Sequence, residues 1–156
     1  MMDISSQICM LKNVRMLEND EQIILFEKLV KEIVNYSEAE HIKMLCSVFD
    51  DATENHEVMF GLIHAIESYD SKVGPEKSLE EVSKSIEVMK VNAYEWLMIL
   101  HKRILNHAPS CLTYKTIIKD SDDKTKELVV ELMRDIAKDN PGKFAESSKH
   151  FIEAIE

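Results

Sequence analysis

Residues 50–70 read DDATENHEVMFGLIHAIESYD. Four carboxylates, Asp50, Asp51, Glu54 and Glu57, fall in the first eight positions, and Val58, Met59, Phe60, Leu62, Ile63, Ala65 and Ile66 follow. A segment apolar on nearly every side is stable as a helix only when buried, whereas clustered carboxylates require water or cationic partners. The stretch therefore reads as a helix that enters the core from an acidic rim. Asp51 is the expected N-cap, with Glu54 three residues on as a variant of the capping box. The acids also suit the positive end of the helix dipole. Capping accounts for two of the four and leaves a surplus. Gly61 in mid-helix costs about 1 kcal/mol relative to alanine, and the expected reason is close approach of a neighbouring helix.

Apolar residues recur at three and four on both sides of this stretch, and no strand alternation is sustained. Upstream, a first helix starts near Asp3 and carries Ile4, Ile8, Leu11 and Val14, and Asn19-Asp20 breaks it. A second, with Ile23, Phe26, Leu29, Val30 and Ile33, ends near Asn35, and a short third carries Ile42, Leu45, Cys46 and Phe49. Downstream, Tyr69 to Gly74 reads as a polar turn, and Pro75 opens a helix with Leu79, Val82, Ile86 and Met89. The next spans about Asn92 to Asn106. Pro109 begins a short one, Ser121 is the expected cap of another, and Asn140-Pro141 starts the last. All three prolines thus fall at helix starts, where proline is tolerated. The expected fold is all-α: a single domain over residues 1–156 of eight or nine antiparallel helices. HEAT-like stacked helix pairs and a globular bundle both fit.

Composition agrees with this reading. Glycine and proline number three each, so elements are few and long, and 45% hydrophobic content suits a globular chain. No apolar run approaches the roughly 20 residues needed to span a bilayer. The N-terminal MMDISSQICML has no cationic region before a long apolar core, so no signal peptide is expected. Cys9, Cys46 and Cys111 are far apart and at apolar-face positions. They read as buried free thiols of a cytoplasmic protein.

The net charge of −10 is uneven: residues 1–71 hold 5 Lys/Arg against 14 Asp/Glu, and residues 72–156 hold 14 against 15. Such a surface argues against nucleic acid as ligand, since binding there neutralises phosphates with cations. It suits a basic protein partner steered by a long-range field, or serves solubility alone.

Chemistry has little to work with. His64 and Glu67 lie three apart and His56 two turns before His64, but the spacing is not HExxH and no further ligand pair accompanies it. His64, among Ile63, Ala65 and Ile66, reads as a core or edge histidine. Glu67 reads as paired with a cation, for which Arg103, seven residues after Trp96, is the candidate. His101 and His107 fall on different helical faces and make a poor acid/base pair. No phosphate-binding glycine loop, CxxC or serine elbow is present. No catalytic residue, metal ligand set or cofactor is expected.

FDDATENHEVMFGLIHAIESYD (Phe49 to Asp70) and EWLMILHKRILN (Glu95 to Asn106) resemble the immunity protein 30 family of bacterial polymorphic toxin systems. The resemblance runs from the second predicted helix to the eighth and fades at both ends. It implies an all-helical cytoplasmic protein, not an enzyme, that binds and neutralises the C-terminal toxin domain of a cognate effector, often a nuclease. It carries no fixed contact residues. The residues themselves meet it from the other side, because nucleases acting on polyanions are commonly basic and an occluding inhibitor should offer carboxylates. The contact candidates are Asp50, Asp51, Glu54 and Glu57, Asp70 at the far end of the same helix, and a second acidic corner of Glu18, Asp20 and Glu21. Gly61, His64, Glu67, Trp96 and Arg103 are the candidates for holding the fold. The competing function is a helical-repeat scaffold for an endogenous protein.

Overall fold

Local polar signals start many of the helices in the computed structural model, which describes residues 3–156. Asp3 caps α1 (Ile4–Val14), its carboxylate accepting from Ser6 N–H at 2.8 Å. That hydrogen bond holds the Asp3 carboxyl below its ordinary range. Asn19 caps α2 (Asp20–Asn35) in the same way through Gln22 N–H. Then follow α3 (His41–Cys46), α4 (His56–Glu67), α5 (Tyr69–Val73), α6 (Pro75–Lys84), α7 (Ile86–Lys90), α8 (Tyr94–Asn106), α9 (Ala108–Lys119), α10 (Asp123–Asp139) and α11 (Pro141–Ile155). The described residues contain no strand. Each proline sits in the first turn of a helix.

The described residues form eleven helices, two or three more than the eight or nine expected. The supposed polar turn at Tyr69 is α5, anchored by a fully buried Tyr69 ring. Gly74 ends it at φ 93°, a backbone setting that favours glycine. The helix after Pro75 is two helices, broken at Ser85. The buried Ser85 hydroxyl donates back to the Glu81 carbonyl at 2.8 Å, a bond known to bend helices. Ser121 is not the cap of α10; Asp122 is, through Thr125 N–H at 2.8 Å.

The chain forms two compact units, one ending at Trp96 and one running from Leu97 to Glu156. In the first, the six-residue α3 is the hub, packed against α2, α4, α6 and α7. Ile42 and Leu45 are fully enclosed. Cys46 is buried beside Ser85, and burial pushes its thiol up to about 12. The expectation of three buried thiols fails elsewhere: Cys9 is exposed and Cys111 half-buried. In the second unit α9, α10 and α11 pack on one another around Tyr114, Ile118, Val129, Met133, Ile136 and Phe151.

His101 belongs to the second unit's interior. Its Nδ1 lies 2.9 Å from the Leu97 carbonyl and its Nε2 2.7 Å from the Tyr114 hydroxyl. The carbonyl can only accept, so Nδ1 carries the proton and Nε2 accepts from tyrosine. Burial pulls the His101 pKa down to about 4. His107 is exposed and caps α9 through Ser110 N–H.

Candidate partner-binding site

The acidic stretch divides by what each carboxylate touches. Asp50 lies against Arg15 at the end of α1, Oδ2 to Nη2 3.4 Å, with both side chains largely covered. Its Oδ1 accepts from Ala52 N–H at 2.8 Å. Arg15 also donates to the Ser47 carbonyl, and its own carbonyl accepts from the buried Thr53 hydroxyl at 2.9 Å. Arg15, the C-cap of α1, thus fastens the loop before α4 at three points.

Asp51 works farther away. Its backbone N–H donates to the Asn92 carbonyl, and its carboxylate accepts from Glu95 and Trp96 N–H at 3.1 and 3.4 Å. Those amides lie in the first turn of α8 and have no intrahelical acceptor. Ala93, just before that helix, carries no side-chain oxygen, so Asp51 supplies the cap across 44 residues. The expected capping box at α4 is therefore absent. Asn55 caps α4, its Oδ1 accepting from Val58 N–H at 3.2 Å.

Glu54 and Glu57 are the surplus: both are exposed, and neither has an ion-pair partner among the described residues. Glu18, Asp20 and Glu21 are likewise exposed. The fold brings one carboxylate of each acidic group, Glu18 and Glu54, to a common depression. A depression of about 660 Å³ is lined by Met16, Leu17, Glu18, Ala52, Glu54 and Asn55. Leu17 makes this geometry: buried, and at φ 53°, it reverses the chain between α1 and α2 and turns Glu18 toward the loop. A leucine in that region costs of order 1 kcal/mol, and burial of its side chain offsets the cost. Asp70 is half-buried on α5.

Aromatic rings hold the other side of α4. The Trp96 ring is stacked on Phe49 at 5.6 Å, with His56 and Phe60 edge-on at 5.7 and 6.2 Å. Phe60 also meets His64 edge-on at 5.2 Å. His64 is mostly exposed, with Nδ1 3.6 Å from the Glu67 carboxylate. Arg103 is half-exposed on α8. Among the described residues no three His, Cys, Asp or Glu side chains gather as a metal site would require. Their helices include none long and apolar enough to cross a membrane.

Gly61 does not serve the close helix approach expected of it. A Cβ there would meet nothing within 4 Å, so no neighbouring helix requires the glycine. It lies instead on a groove of about 320 Å³ between α2 and α4. Arg15, Thr53 and Asn55 escaped the sequence reading, although Asn55 directly before a helical pattern is a recognisable cap signal.

No curated protein and no solved structure matches the chain. The family model of immunity protein 30 matches residues 13–114, from the end of α1 into α9, which leaves α10 outside although the resemblance was expected to reach it. The match spans well over half of the 156 residues, and the chain belongs to the immunity protein 30 family.

Proposed function

We propose that the chain binds and neutralises the C-terminal toxin domain of a cognate bacterial effector in the cytoplasm, by covering its active site. The toxin is a basic nuclease and the inhibitor contributes no chemistry. Family membership supports the immunity role. The observation that carries the acidic-surface mechanism is the depression shared by Glu18 and Glu54, in a unit with 9 Lys/Arg against 19 Asp/Glu up to Trp96, a net of −10. A field of that sign steers a basic partner and favours its orientation.

The contact edge is Glu18, Asp20, Glu21, Glu54 and Glu57, with Asp70 as an outer position. Asp50 and Asp51 act behind it, holding the loop and α8 in place. The test is calorimetric titration with the purified product of the neighbouring gene. The Glu18→Lys/Glu54→Lys variant should bind about tenfold more weakly per reversed charge, roughly 1.4 kcal/mol each, with its melting temperature unchanged. Undiminished binding by that variant would remove the acidic edge from the mechanism.

A further inference from the structure

The groove between α2 and α4 is built chiefly of apolar side chains. Val30 and Val34 form one wall, and Val58, Leu62 and Ala65 the other. Gly61 leaves the middle of that second wall without a side chain, in open space. The glycine, which no neighbour requires, leaves this part of the groove open enough to admit a further side chain. Glu27, Lys31 and His64 are its polar positions.

The start of α4 joins this groove to the acidic depression. Glu54 and the N-cap Asn55 line the depression, and Val58, in the first turn of α4 and capped by Asn55, lines the groove. A body seated on the acidic edge therefore meets the groove next. The same charge argues against a second copy as occupant, because two units of net −10 repel.

We propose that the α2/α4 groove is an anchor socket for one large aliphatic or aromatic side chain projecting from the basic surface of the toxin domain. The acids set encounter and orientation, and the socket supplies the desolvated contact that slows dissociation. This rests on the proposed toxin-binding function.

The test uses the full chain and the neighbouring-gene toxin domain in the same titration. Gly61→Leu fills the socket, and Gly61→Ala adds a Cβ to open space. Val34→Lys charges the opposite, half-exposed wall and serves if the leucine perturbs folding, which thermal melts monitor. Gly61→Leu and Val34→Lys should each weaken binding at least tenfold, mainly through faster dissociation, and Gly61→Ala less than threefold. If the wild type binds and both groove variants match it, the socket is refuted while the toxin-binding reading stands. If the wild type does not bind the toxin domain, both fall. A wild-type dimer in sedimentation that Gly61→Leu dissolves would give the groove to a second copy and overturn the proposal.

Discussion

The two units differ most in how they use charge. Up to Trp96 the balance is 9 Lys/Arg to 19 Asp/Glu; from Leu97 onward it is 10 to 10. The second unit spends charge internally: Lys102 pairs with Asp139 and reaches the Phe144 ring, which Lys143 also approaches. The first uses Asp50 and Asp51 to hold itself together and leaves Glu18, Glu54 and Glu57 in water. The family match, residues 13–114, lies mostly on the first unit. Solubility alone does not require that concentration, and the proposed basic partner accounts for it.

The largest expected effect separates stability from recognition. Phe151→Ala empties a fully buried position of the second unit and should cost about 3–5 kcal/mol in urea unfolding. Toxin-domain affinity below the transition should stay within threefold. A proportionate loss of affinity would show that the second unit also takes part in recognition.

Next is an acid step that belongs to the second unit alone. His101 titrates near 4 when folded and near 6.5 when exposed. Its folded-state pKa is depressed, so its stabilising contribution is complete above pH 6.5 and lost as the pH falls toward 4. The loss is about 3 kcal/mol, measured as unfolding free energy between pH 7 and 4. His101→Met should lack this step. The capping carboxyls of Asp3 and Asp122 are held below the ordinary aspartate range by the amides they cap, so their contribution is lost only at lower pH, outside the histidine window.

Within the acidic stretch, neighbours should part ways. Asp51→Ala removes the cap of α8 and should cost about 1–2 kcal/mol, whereas Glu54→Gln should stay within about 0.5 kcal/mol of wild type and weaken toxin binding. Equal stability losses in both would erase the distinction between holding and contact carboxylates. The smallest effect is Gly61→Ala, which should stabilise by about 0.5–1 kcal/mol.

Helix existence was legible wherever the signal is local. Asp3 and the three prolines act within a few residues, and each starts a helix as expected, whereas Asn19, expected only to break the first helix, also caps the second. The α4 start was misjudged because Asp51 looks like a local cap while its acceptor groups face α8. The break at Ser85 and the short α5 arise from burial of Ser85 and Tyr69, which pattern alone does not reveal. The acidic depression depends on a turn at Leu17 and a bond from Thr53 to Arg15. Nothing in the sequence joined Glu18 to Glu54. Gly61 was expected to face a close neighbour, and the sequence could not say whether the space beside it is filled or open.

The cap that Asp51 places on α8 has a consequence for synthesis. A chain leaving the ribosome presents its N-terminal part first, so the acceptor at Asp51 exists well before the amides of Glu95 and Trp96 emerge. The first turn of α8 is thus born into a waiting partner. Order of translation and order of dependence run in the same direction, and that turn need not linger with its amides unanswered.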